Sequence, residues 1–136
     1  MLDTNTVILL PRIRDRNLLP KSPLMSTITL AELSAGPLVA VDEDQRVLRQ
    51  AELQQAEADF DALTFDAAAA RAFGGVASSL RRSGRKSAAR TYDALIAAVA
   101  IANDLPLFTC NPDDFAGIDG LTVVVVPHPD APIVTG

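Results

Sequence analysis

Histidine and cysteine are almost missing from this chain of 136 residues, which holds one of each, His128 and Cys110. A lone cysteine excludes an internal disulfide and a cysteine-cluster zinc site, and a lone histidine excludes a histidine-rich metal centre. No apolar run approaches the roughly 18–20 residues that span a bilayer. Asp at position 3 interrupts any signal-peptide pattern at the start. Linkers, repeats and low-complexity tracts are lacking too, apart from an enrichment in alanine. What is present is a hydrophobic fraction of 49%, enough for one core in a chain of single-domain length. The expectation is a cytoplasmic single domain over residues 1–136, with about 128–136 as a flexible tail or dimer-interface segment and His128 in a surface loop.

The formal charge of −5 argues against a general nucleic-acid binder, since phosphate binding runs on Lys and Arg. The segments differ, however. Residues 42–66 carry −6, residues 67–90 carry +6, and residues 91–136 carry six acids and no base. Five cations crowd into ten residues: Arg81, Arg82, Arg85, Lys86 and Arg90. They read either as a foothold for phosphate or as a solvated helix end whose cations oppose the macrodipole.

Local patterning alternates strands with helices. A short apolar start precedes Asp3, Thr6–Leu10 forms a helix ended by Pro11, and Leu24–Ile28 reads as a strand running into a helix over Leu30–Ala35. Residues 43–60 favour helix, and Ala62–Phe65 suits a short strand. Asp66 caps an alanine-rich helix to about Ser83, with Gly84 after it. In the helix Tyr92–Asn103, Ala94–Ala102 is apolar on every face and therefore buried. Leu107–Thr109 is a strand, Asn111–Phe115 a turn, and Leu121–Val126 a strand apolar enough for a sheet covered on both faces. This pattern predicts a three-layer α/β/α sandwich on a mainly parallel sheet.

In such a sheet ligands sit at the carboxyl ends of the strands, and acids fall there. Asp3 follows the first strand, Glu32 lies just past the second, Asp114 follows the strand ending at Thr109, and Asp93 opens the buried helix. Individually, Asp3 and Asp93 also suit helix starts, and Asn-Pro-Asp-Asp is ordinary turn chemistry. Glu32 is harder to assign to structure alone, because Leu30, Ala31, Leu33 and Ala35 surround it. If the acids converge, pairs about 4 Å apart repel by roughly 4 kcal/mol at an effective dielectric of 20. Such a group needs a cation. Without a His or Cys set, a carboxylate site for Mg²⁺ or Mn²⁺ is what this composition supports, and its natural chemistry is phosphoryl transfer.

Four segments, Leu-Asp-Thr-Asn (2–5), Ile-Thr-Leu-Ala-Glu-Leu-Ser-Ala-Gly (28–36), Tyr-Asp-Ala-Leu-Ile-Ala-Ala-Val-Ala (92–100) and Leu-Phe-Thr-Cys-Asn-Pro-Asp-Asp-Phe (107–115), together resemble the PIN-domain ribonucleases. Within that family the chain looks most like the VapC-type toxins of bacterial toxin–antitoxin pairs. The resemblance implies the same α/β/α sandwich and an Mg²⁺- or Mn²⁺-dependent endoribonuclease. Asp3, Glu32 and Asp93 match the three main acids. For the fourth, relatives differ: Asp114 is the expected acid, with Asn111 as a polar neighbour and Asp113 as the substitute. Asn5 and Thr109 match supporting polar positions, and the run from Arg81 to Arg90 would guide the RNA backbone. Partners implied are RNA, a VapB-type antitoxin and a second copy in a homodimer.

Two departures stand out. Only Met1 and Leu2 precede Asp3, where the resemblance implies a longer strand, so the start lies late or the strand is stunted. Cys110 stands where relatives often carry Arg, and reads as a small buried apolar residue. Two other readings compete. Asp3-Thr4-Asn5-Thr6-Val7 partly resembles the first motif of haloacid-dehalogenase-type phosphatases, but Asn5 replaces their second acid and no Lys follows Lys86. A PIN-like binding module without activity is the non-enzymatic alternative; its metal binding would be indifferent to Asp3→Asn.

Overall fold

A computed structural model describes residues 1–84 and 90–131. The element order is α1 (Thr4–Leu9), β1 (Met25–Ser26), α2 (Thr27–Ala35), α3 (Glu43–Asp59), β2 (Ala62–Leu63), α4 (Ala67–Arg82), α5 (Thr91–Ala102), β3 (Leu107–Thr109) and β4 (Val123–Val125). Short 3-10 turns at Leu10–Arg12, Arg16–Leu18, Gly36–Val39 and Pro112–Phe115 join them.

Every strand pairing is parallel: Met25 lies against Ala62, Leu107 against Val123, and Leu2 bridges Phe108. The first residues join the two strand pairs. Leu2 N–H donates to the Leu24 carbonyl at 2.8 Å, and Phe108 N–H donates to the Met1 carbonyl at 2.8 Å. The start of the chain therefore runs down the middle of the sheet. Met1 is buried, and its ammonium donates to the Pro106 carbonyl at 2.9 Å.

Alternation along the strands creates the layers. Met1, Leu24, Leu63 and Leu107 face a core with Val76 and Leu80 of α4 and Ile96, Ala97 and Val99 of α5. Leu2, Met25, Ala62 and Phe108 face the other side, where Val7, Leu33, Ala56 and Phe60 pack. The expected sandwich is thus present, with α4 and α5 on one face and α1, α2 and α3 on the other. Of the stretch Ala94–Ala102, six residues are buried and Leu95, Ile101 and Ala102 are half-buried, so its unbroken apolarity is met with burial along most of its length.

Capping explains most boundaries. Asp66 Oδ1 accepts the Ala69 N–H at 2.9 Å and starts α4, and Gly84, at φ +75°, follows the helix end in the left-handed region. The strand expected over Leu24–Ile28 is shorter. Ser26 Oγ accepts the Thr29 N–H at 3.2 Å, so the helix begins at Thr27 and absorbs Ile28. The last strand also departs from expectation. It lies at the sheet edge with β3 as its neighbour, and Val125 is 57% exposed rather than covered on both faces. Near the C-terminus, Asp130 pairs with Arg12, and its N–H donates to His128 Nδ1 at 3.0 Å. Residues 128–131 are thereby tied to the body; residues 132–136 of the expected tail lie outside the described residues.

Candidate active site

Asp3 emerges where the central segment ends, between β1 and β3. It is 2% exposed. Its Oδ1 accepts the Thr6 N–H at 3.3 Å, capping α1, and its Oδ2 accepts the Thr109 hydroxyl at 2.9 Å. Capping and site membership, alternatives on sequence, coexist in one carboxylate. Burial pushes the Asp3 carboxyl above its ordinary range, while the Thr6 and Thr109 hydrogen bonds pull it back. Thr109 is itself fixed, because its Oγ1 accepts the Asn111 N–H at 2.9 Å.

Glu32 sits on α2, three residues after Thr29, so the two share a helix face. Thr4 donates its hydroxyl to Glu32 Oε1 at 2.8 Å. Thr4 and Thr29 hydroxyls are 3.0 Å apart, and Ser26 Oγ donates to Thr29 Oγ1 at 3.5 Å. One hydroxyl carries one proton. With the Thr4 proton on Glu32, Thr29 must donate to Thr4, so the series Ser26–Thr29–Thr4 directs its protons towards Glu32. Burial raises the Glu32 carboxyl, the Thr4 bond lowers it, and the charge of Asp3 raises it.

Asp93 occupies the first turn of α5. Its carboxyl is pushed from 3.8 up to about 6, by burial first and then by the charges of Asp114, Asp3 and Glu32, with Arg90 acting in the opposite direction. Asp93 thus senses the charge of each of the other three carboxylates expected from the sequence. Asp114 is the member of the 111–114 turn that Asp93 feels. Asp113 is exposed, and its carbonyl accepts a hydrogen bond from Arg90 at 3.2 Å. Asn111 contributes backbone bonds to the turn, its carbonyl accepting the Asp114 N–H at 3.1 Å. Asn5 is exposed on α1.

Within the basic run, two described cations are engaged by acids. Arg90 Nη1 pairs with Asp114 Oδ1 at 3.2 Å, and Arg82 pairs with Asp119 at 2.6 Å. Arg81 is exposed, and Arg85 and Lys86 lie outside the described residues. Cys110 is 7% exposed and packs with Ile13 and Val126, as a small apolar residue would.

Sequence reasoning missed Ser26, Thr4, Thr29 and Thr6, whose Oγ1 accepts the Cys110 N–H at 3.0 Å. The Ser-Thr-Ile-Thr run at 26–29 was the available signal, as a hydroxyl cap where a strand turns into a helix. As the side chains stand, no three acids, histidines or cysteines among the described residues close into a metal-holding cluster. The donor set is nonetheless all carboxylate oxygen, with one member, Asp93, pushed up to about 6 by burial and then by its neighbours. That chemistry fits a hard divalent cation. Among the described residues, no helix is long and apolar enough to cross a membrane.

Comparison with known proteins agrees with this architecture. The pattern of the PIN domain family matches residues 1–121. Ribonuclease VapC5 of Mycobacterium tuberculosis is 39% identical over 112 residues, 82% of this chain and 80% of that protein. The crystal structure of VapBC-5 from Mycobacterium tuberculosis superposes with a TM-score of 0.76 at 38% identity, covering 92% of this chain and 94% of that one. DNA-bound VapBC from Salmonella typhimurium gives 0.71 at 27% identity, over 92% and 96% of the two chains. The reach of the family pattern and the identity to VapC5 place the chain in the PIN domain family, as a homologue of the VapC ribonucleases.

Proposed function

We propose that this protein is a metal-dependent endoribonuclease that hydrolyses RNA phosphodiester bonds as the toxin of a type II toxin–antitoxin pair. The observation that carries the reading is that Asp93, at the start of α5, is raised to about 6 by burial first and then by the charges of Asp114, Asp3 and Glu32. Asp3 and Asp93 would be the principal ligands of Mg²⁺ or Mn²⁺, and Asp114 would complete the set. Bound there, the ion would lower the pKa of a water and offset the charge developing on the phosphate.

The chain's own residues divide the remaining work. Thr6 and Thr109 hold both oxygens of Asp3. Thr4 holds Glu32 Oε1, which leaves Oε2 to orient a water and accept its proton. Burial raises the basicity of Glu32, which suits that role. Arg90 ties Asp114 to the start of α5. The named relatives solved as VapBC complexes support a VapB-type antitoxin as partner, and a homodimer is the proposed assembly.

The test is a map of new RNA 5′ ends after brief expression in the native host, wild type against Asp3→Asn. Discrete ends absent from the variant are expected. Equal profiles, with the protein expressed and free of antitoxin, would overturn the reading and favour a binding module. On a substrate so identified, Thr4→Val should slow cleavage by about 10–100-fold, the usual effect of losing a ligand-orienting hydrogen bond. The shape of the side chain is kept, so circular dichroism should be unchanged. A Thr4→Ser variant, which restores the hydroxyl, should recover most of the rate.

A further inference from the structure

Six aromatic side chains are present, five Phe and one Tyr, with no Trp. Phe60 and Phe115 are buried, and Phe65, Phe73 and Phe108 pack against the two cores. Tyr92 differs from all of them, at 60% exposed. It stands beside Asp93 in the first turn of α5, two residues after Arg90. Arg90 and Asp93 are three apart and share a face, from which Arg90 reaches Asp114 and Asp93 senses the other acids. Successive helical side chains turn by about 100°. Tyr92 is thus an exposed ring next to Asp93 in the chain, turned from it by about one helical step.

Resting on the ribonuclease reading above, we propose that Tyr92 stacks a base of the RNA strand next to the phosphate that is cut. The chain carries −5 overall, the site itself is acidic, and among the described cations of the 81–90 run Arg90 and Arg82 are paired with Asp114 and Asp119, while Arg81 is exposed. Stacking on an aromatic face needs no charge and works with any unpaired base. A water-exposed ring next to Asp93 in the chain offers that face, and it selects single-stranded or looped RNA over duplex, whose bases are already stacked.

The composition supplies a direct reporter. With one Tyr and no Trp, ultraviolet emission near that of free tyrosine comes from Tyr92 alone. The Asp3→Asn protein, which keeps the RNA intact, is titrated with short single-stranded RNA of randomised sequence, and binding is followed in parallel by anisotropy of a fluorescein-labelled copy. Free N-acetyltyrosinamide corrects for absorption by the RNA. Binding should quench the emission. In the same background Tyr92→Phe should bind within about twofold of the parent and Tyr92→Leu about tenfold more weakly. With Asp3 restored, Tyr92→Leu should raise KM for cleavage and leave kcat nearly unchanged. Binding without quenching, together with equal affinities for the Phe and Leu variants, would overturn the proposal and leave the nuclease reading intact. Absence of both RNA binding and wild-type cleavage would overturn the nuclease reading and the stacking with it.

Discussion

Asp3→Asn is expected to lower RNA cleavage by at least about 10²–10³-fold, the scale for removing one preorganised electrostatic group from a reaction centre. The same change should leave the melting temperature no lower than that of wild type. The two expectations have one cause. Asp3 is 2% exposed, and its carboxyl is pushed up mainly by burial, so keeping it ionised works against folding. Asn has nearly the same shape, and its Oδ1 still accepts the Thr6 N–H that starts α1. The other oxygen becomes an NH₂ facing Thr109, whose hydroxyl now donates to Asp3 Oδ2. That hydroxyl must turn elsewhere, a loss on the scale of one hydrogen bond, about 1 kcal/mol, which offsets part of the gain from removing the charge. Thermal melts and cleavage rates on the mapped substrate, measured side by side, separate the effects. A variant that folds and still cleaves would remove Asp3 from the reaction. One that unfolds would mean the carboxylate serves as a cap before anything else.

The elements legible in the sequence are those with local causes. Asp66 followed by an alanine-rich stretch and Gly84 predicts α4 because both helix ends are stabilised by neighbours in the chain. Ala94–Ala102 predicts a buried helix because no face is polar. The 24–28 segment misled because Thr27 and Ile28 are β-branched, and the Ser26 cap outweighed that weak preference. The end of the sheet misled differently. An apolar run says that side chains avoid water, but not that β4 would have β3 on one side and leave Val125 outside. At the site, Asp3, Glu32 and Asp114 were candidates because they follow strands, where such folds gather ligands, and Asp93 because it opens the buried helix. Their supports were not. Thr4 and Thr29 are 25 residues apart, and Arg90 and Asp114 are 24 apart, so no local pattern announces either contact. Of the five cations from Arg81 to Arg90, nothing in the sequence signals that Arg82 and Arg90 pair with acids on separate turns, Asp119 and Asp114.

Asp93→Asn should raise the melting temperature at neutral pH while abolishing cleavage, and the size of the gain should depend on pH in a defined window. In the folded protein Asp93 sits at about 6, against an ordinary 3.8. Between those values the folded state binds more protons than the unfolded state, so stability falls as pH rises through the window. Below about pH 4 the carboxyl is protonated in both states and the variant should melt close to wild type. Above about pH 6 the folded protein carries the full penalty, and the gap should be largest and flat. Because Asp93 is only half-buried, solvent screening reduces the penalty to roughly 1–2 kcal/mol, or several degrees in a domain of this size. Loss of the attraction to Arg90 acts the other way, but it is the smallest influence on Asp93. Divalent cation supplies the final discrimination. Mg²⁺ binding to the folded state should raise the wild-type melting temperature in proportion to the logarithm of its concentration, and Asp93→Asn should respond far less. A gap that stays constant from pH 4 to pH 7 would mean that neither burial nor the neighbouring carboxylates raise Asp93. A variant as responsive to Mg²⁺ as wild type would mean that Asp93 holds no metal.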